Sequence, residues 1–198
     1  MTACDTLTMT KADFNHPDPW TEAEYLALDE TNSRIELIDG GLWVSPAPTN
    51  EHQEISYLLT TILRPPASAA KLCVTQAGNV RLGPDRLVSP DITVRRPSKP
   101  GTRTEAADVV MVAEITSPSN ATADRRFKKL LYAEAGIGWY LLVEPDHGTY
   151  QSIFLRLLRL EDTKYVEHAF AEYGETLITD LPFPVEISTE HLLDFAGD

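Results

Sequence analysis

Two acids, Asp91 and Glu114, and one base, Lys128, are the residues whose types and positions best suit joint chemistry. Asp91 lies in the run Ser89-Pro90-Asp91-Ile92, and Glu114 directly follows Val109-Val110-Met111-Val112-Ala113. In a strand, successive side chains alternate between faces. A strand over 87–94 would put Ser89, Asp91 and Thr93 on one face, and the next strand would put Val110, Val112, Glu114 and Thr116 on one face. If these strands pair, the two carboxylates converge. Bare carboxylates at close range repel, and one keeps its proton. A hard divalent cation with oxygen ligands removes that conflict. Spacing alone also admits a plainer reading, with Asp91 capping a turn and Glu114 marking the exposed end of a strand.

Helical spacing then adds a cation. Asp124, Lys128 and Tyr132 stand at i, i+4 and i+8, one above another, while Phe127, Leu130, Leu131 and Ala135 supply a buried side. Lys128 lies at the margin of that side, so its ammonium either reaches over the sheet or pairs with Asp124 in solvent. Arg125, Arg126 and Lys129 form a basic cluster beside it, a solvated face and also a place to meet phosphates. His52 sits at the start of another helix, as a helix-end polar residue or a general base.

These residues need a frame, and its elements can be read in order. Residues 1–19 are polar and aperiodic, a flexible tail. Thr21 with Glu24 is a capping-box pattern that starts a helix over 22 to about 28. Asp39-Gly40 between apolar runs predicts a hairpin from Arg34 through Val44. Asn50 and Gln53 cap a second helix, whose Ile55, Leu58, Leu59, Ile62 and Leu63 form one apolar face and which Pro65-Pro66 ends. Strands over 72–82 and 87–94 flank a Gly83-Pro84-Asp85 turn, and 97–104 is a polar loop. The run 109–113 is continuously apolar, as in a strand covered on both faces. The third helix, 122–135, ends at Gly136. A buried strand over 139–143 and a hairpin from 150–160 and 165–170 follow. Trp43, Trp139 and Tyr140 read as core aromatics. Strands and helices alternate, which predicts an α/β (mixed α+β) fold, a central mixed sheet flanked by helices, in a single domain over 20–198.

Composition bounds the function. With 198 residues and 42% hydrophobic content the chain suits one folded domain. Its net charge of −13 argues against a broadly basic nucleic-acid binder, although a local cleft or a metal can offset it. Cys4 and Cys73 show no paired spacing, and no apolar stretch suggests a signal peptide or membrane span. A reduced, cytoplasmic protein is the expectation.

Five motifs in order resemble the Uma-two family of restriction-endonuclease-like proteins. Arg34-Ile35-Glu36-Leu37-Ile38-Asp39-Gly40 with His52 resembles "YELIDG…H", and Ser89-Pro90-Asp91-Ile92 matches "PD". Glu114-Ile115-Thr116-Ser117-Pro118-Ser119 resembles "EVxSPS", 124–132 resembles "DxxxKxxxY", and Ala135-Gly136-Ile137-Gly138-Trp139-Tyr140 resembles "AGVxxYW". That family is similar to the PD-(D/E)XK nuclease superfamily, which implies a restriction-endonuclease-like fold and metal-dependent phosphodiester hydrolysis. By this likeness Asp91 is the motif aspartate, Glu114 the second acid, and Glu36 an early glutamate that binds or orients the metal. Thr116 stands where the superfamily has its lysine, and Lys128 is the family's replacement. Trp139 stands where the family often has Glu, and Glu144 where it often has Asp.

The resulting expectation is an endonuclease, using magnesium or manganese, that acts on nucleic acid, DNA in the first place. Asp91, Glu114 and the Ile115 carbonyl would hold the ion, with Lys128 and Glu36 completing the catalytic set. A homodimer follows by analogy with nucleases that cut both strands. The alternative is a catalytically inactive nuclease-fold protein serving as a binding or dimerisation module. A different hydrolase built on Asp, Glu and His52 ranks last, because no nucleophile elbow, His-rich metal motif or phosphate-cradling Gly loop occurs.

Overall fold

The computed structural model describes residues 10–12, 18–28, 34–116, 122–146 and 149–195. Cys4, the remainder of the expected tail and the Ser117-Pro118-Ser119 motif piece lie outside these residues. In chain order the elements begin with β1 (Thr10–Ala12), α1 (Glu22–Leu26), β2 (Arg34–Ile38), β3 (Gly41–Ser45) and α2 (Asn50–Ala69). They continue with β4 (Cys73–Gln76), β5 (Asn79–Gly83), β6 (Arg86–Val88), β7 (Ile92–Arg95), β8 (Arg103–Glu105) and β9 (Val109–Ile115). Then come α3 (Thr122–Glu134), β10 (Trp139–Pro145), β11 (Ile153–Glu161), β12 (Lys164–Ala171), β13 (Thr176–Thr179) and β14 (Val185–Ser188).

The strands form two six-stranded sheets and one hairpin. The first sheet has the order β1-β3-β2-β6-β5-β8, the second β12-β11-β10-β9-β7-β4, and β13 pairs with β14. Both large sheets are mixed: β9 and β10 run parallel, as do β5 and β8, and the other pairs are antiparallel. A parallel pair needs a crossover, and α3 lies in the one between β9 and β10.

The hydrophobic pattern explains the layering. Ile55, Leu59, Leu63 and Ala67 of α2 pack on Ile92, Val94, Met111, Ala113 and Ile115 of the second sheet. The opposite face of that sheet presents Val112 and Tyr140 to Leu131 and Tyr132 of α3 and to Ile38, Val80 and Val88 of the first sheet. Leu37, Leu42 and Leu87 face the other way, beneath Trp20, Tyr25 and Leu28. The central strand β9 is therefore covered on both sides, as its apolar run requires. Among the described residues no helix is long and apolar enough to cross a membrane, which says nothing about β-barrels.

Local chemistry agrees with the sequence in several places. Thr21 and Glu24 close a capping box on α1. Asp39 and Gly40 both have positive φ, 51° and 72°, and join β2 to β3. A Cβ at Gly40 would lie 2.6 Å from the Cβ of Pro19, so this turn has no room for a side chain.

Elsewhere the structure departs from expectation. Helix α2 is capped by Thr49, not Asn50: Thr49 keeps an extended backbone and accepts the His52 amide at 3.2 Å. Pro65 and Pro66 do not end α2, which runs on to Ala69. Burial of Ala67 in the core favours continuing the helix past the backbone bonds the prolines cannot make. The two long strands expected around the Gly83-Pro84-Asp85 turn are each broken, giving four short ones. The break at 89–91 carries the chain from the first sheet into the second. Thr10–Ala12, within the expected tail, forms an edge strand against β3. Arg103–Glu105 of the expected polar loop pairs with β5, and two four-residue strands that the sequence reading passed over form the β13–β14 hairpin.

Candidate active site

The second sheet brings the two acids together. Ile92 pairs with Ala113 in the antiparallel β7–β9 register, so Asp91, one residue earlier, reaches Glu114, one residue later. Asp91 is 5% exposed and Glu114 6%. Asp91 Oδ2 accepts the Ile115 amide at 2.8 Å, a backbone bond across the strand pair that fixes the carboxylate. Asp91 stands in the sheet-crossing segment rather than within a strand, as the sequence had suggested, yet its side chain meets the same point.

Glu36 enters from the first sheet and is completely buried. Its Oε1 accepts the Ser89 amide at 2.8 Å and Lys128 Nζ at 3.1 Å. The Ser89 bond ties Glu36 to the segment where the chain changes sheets. Glu36 Oε2 is buried with no hydrogen-bond partner among the described residues.

Lys128 comes from α3. It is 7% exposed, and its Nζ lies 3.3 Å from Glu114 Oε1 as well as 3.1 Å from Glu36. The surface-pair reading is therefore not realised for Lys128; the side chains of Asp124 and Arg125 lie outside the described residues. Tyr132, one turn on, is fully buried and donates a short hydrogen bond to the same Glu114 oxygen. Phe127, on the neighbouring helix position, packs against Trp43 with ring centres 5.9 Å apart.

Two further groups complete the cluster. Arg34 places Nη1 2.7 Å from Asp91 Oδ1 and Nη2 3.5 Å from Glu36 and 3.8 Å from Glu114, and Nη2 also donates to the Ser89 carbonyl. His52, in the first turn of α2, sets Nε2 3.3 Å from Asp91 Oδ2. Sequence reasoning gave Arg34 and Tyr132 no role. The available signals were alternation, which puts Arg34 and Glu36 on one strand face, and the i+4 step from Lys128 to Tyr132.

Burial is the largest single influence on each group of the cluster, and the charges around it decide the direction for most of them. Burial opposes ionisation of Asp91, but Arg34 and His52 beside it hold its carboxyl well below the usual range. Glu36 is likewise lowered, against its burial, by Lys128, Arg34 and the Ser89 amide. Glu114 moves the other way: burial, with Asp91 and Glu36 nearby, outweighs Lys128 and raises it. Lys128 stays charged because Glu114 and Glu36 overcome its desolvation. Burial also disfavours charge on His52, but the Asp91 carboxylate raises its pKa above 6.5. Three buried carboxyls whose environments push their pKa values apart are a pattern typical of acid–base and metal sites.

The profile of the Uma2 family, described as "Putative restriction endonuclease", matches residues 22–195. The chain belongs to the Uma2 family. This is the Uma-two family that the motifs resemble. No curated protein matches the chain significantly. Among solved structures, a crystal structure described as a putative nuclease from Anabaena variabilis superposes with a TM-score of 0.66 at 21% identity. The match covers 88% of this chain and 98% of that one, and shows a shared restriction-endonuclease-like fold. In this Uma2 protein Thr116 is a buried residue whose amide donates to Val143, and the ammonium beside the acids comes instead from α3. Among the described residues no three of His, Cys, Asp and Glu are disposed to hold a metal ion as they stand.

Proposed function

We propose that the chain is a divalent-metal-dependent endonuclease that hydrolyses phosphodiester bonds of nucleic acid, DNA in the first place. The observation that carries this reading is the meeting of Asp91, Glu114, Glu36 and Lys128 in one buried cluster drawn from both sheets and α3. The donor chemistry suits magnesium or manganese, since all three acids offer hard oxygens and Glu36 Oε2 has no hydrogen-bond partner among the described residues. Asp91 and Glu114, with the Ile115 carbonyl, would hold the ion. A bound divalent ion supplies Lewis acidity toward a phosphate oxygen and makes water more acidic.

The remaining roles belong to the chain's own groups. Lys128, steadied between Glu36 and Glu114, would place positive charge against the charge that develops on the phosphate. Tyr132 would fix the Glu114 oxygen it donates to, and Glu36 would orient Lys128 while tying down the sheet crossing at Ser89. Cutting both strands of a duplex would suit a two-fold homodimer.

The test is cleavage of supercoiled plasmid in manganese. Wild type should nick or linearise it, Lys128→Ala should slow this by roughly 100-fold or more, and Asp91→Ala should abolish it. Unchanged cleavage by Asp91→Ala would refute the assignment. A second reading, a non-catalytic binding or dimerisation module, draws on the net charge of −13 and on Arg34 already partnering the acids. It predicts neither cleavage nor manganese binding by the wild type.

A further inference from the structure

Arg34 sits where a cation shared by the acids would sit. Its guanidinium contacts Asp91 at 2.7 Å, lies 3.5 Å from Glu36 and 3.8 Å from Glu114, and donates to the Ser89 carbonyl as well. None of the other described side chains meets all three acids; Lys128 reaches Glu36 and Glu114, and His52 reaches Asp91. The guanidinium fork suits this bridging task, because it presents several donors in one plane. The fit is imperfect in a telling way. Arg34 Nε and Glu36 Oε2 are both buried without hydrogen-bond partners among the described residues, so the arginine leaves an acceptor of the cluster unfilled while holding the cluster together. The side chain is also 25% exposed, more open than any of the acids it binds.

We propose that Arg34 is a resident stand-in cation: it keeps the carboxylates together in the metal-free protein and must swing away from Asp91 and Glu114 for a divalent ion to enter. This rests on the metal-dependent reading above. It accounts for a feature that reading leaves open, namely that the acids converge while no three ligands stand ready for an ion among the described residues. Two positive centres cannot share the same carboxylate oxygens at close range without strong repulsion. The arginine and the ion are therefore competitors, and in the free protein it is Arg34, beside Lys128 and His52, that offsets the mutual repulsion of the acids.

Competition has a direct readout in binding, separate from catalysis. Manganese would be titrated calorimetrically into wild type, Arg34→Met, Arg34→Lys and Asp91→Ala, with thermal melts in chelator and in manganese alongside. Arg34→Met should bind manganese at least roughly tenfold more tightly than wild type. It should also melt lower in chelator and gain more from manganese. Arg34→Lys keeps the charge but cannot bridge the acids in one plane, and should fall between. It also serves as the test if Arg34→Met does not fold. Equal or weaker binding by the Arg34 variants, with Asp91→Ala losing it, would overturn the stand-in role and leave the metal site standing. Binding by no variant, or by Asp91→Ala as well as wild type, would overturn the metal reading itself and this proposal with it.

Discussion

Replacing Lys128 by Met tests whether the buried cluster is held together by charge. The ammonium is 7% exposed and lies 3.1 Å and 3.3 Å from two buried carboxylates. Removing one partner of a buried ionic set leaves an uncompensated charge, at a cost of about 3–5 kcal/mol. Glu114 offers a way to limit that cost, because its pKa is already raised by burial above the ordinary 4.5. Without Lys128 it can bind a proton in place of the lost ion pair, which keeps the loss near the lower end of that range, about 3 kcal/mol. For a chain of this size each kcal/mol moves the melting temperature by about 2–4 °C, so Lys128→Met should melt roughly 6–12 °C below wild type at neutral pH. The sign of the pH dependence follows from the same step. A carboxyl whose folded pKa is raised binds a proton in the folded state that the unfolded chain lacks. Its contribution to stability is therefore greatest at low pH and falls as pH rises through the window between the two values. Because wild-type Glu114 is raised as well, the deficit of the variant should shrink on acidification by at most about 1.4 kcal/mol per pH unit. Thermal unfolding followed by circular dichroism in chelator, from about pH 5 to 8, measures both quantities. A variant that melts within a degree or two of wild type at pH 7, or a deficit that does not change with pH, would refute the view that Lys128 is a desolvated partner of these acids.

Two smaller perturbations probe the same cluster. Tyr132→Phe removes the hydroxyl that donates to Glu114 and leaves a buried acceptor short of a partner; it should lower unfolding free energy in urea by about 1–3 kcal/mol, and no loss would mean that the bond contributes nothing. His52 gains its raised pKa from Asp91 in spite of burial, so its contribution is complete below the unfolded value of 6.5 and lost as pH rises through the higher folded value. His52→Gln should flatten the melting-temperature profile across that window, and an unaltered profile would show that His52 does not pair with Asp91 as a cation.

How much of this was legible in the sequence depended on whether a local rule governed the residue. Glu114 sits at the end of an unbroken, doubly covered strand, where alternation is reliable, and Val112 and Glu114 do face α3 together. The i+4 spacing of Lys128 and Tyr132 held for the same kind of reason, since helical geometry alone stacks them. Asp39-Gly40 was legible because its turn needs positive φ and few residues accept it. Tandem prolines misled because propensity is overridden when the residue beyond them, Ala67, is buried.

The hidden part of the site is hidden by the crossing between sheets. Alternation puts Arg34 and Glu36 on one face of β2, but β2 belongs to the first sheet and Asp91 leads into the second. No local pattern states which face of one sheet will look at which face of the other. The link is the segment 89–91, read from sequence as strand because Val88, Pro90 and Ile92 alternate with polar residues. In the structure its Ser89 amide donates to Glu36 and its Ser89 carbonyl accepts from Arg34. The irregular backbone that ends β6 thus supplies the groups that dock the Arg34-Glu36 pair onto Asp91. A regular strand would have spent those same groups on its own ladder. The broken strand and the assembled charge cluster are therefore one structural event: had 87–94 been the continuous strand its alternation suggested, Ser89 would have had a ladder partner and β2 would have lacked these bonds to the segment that crosses between the sheets.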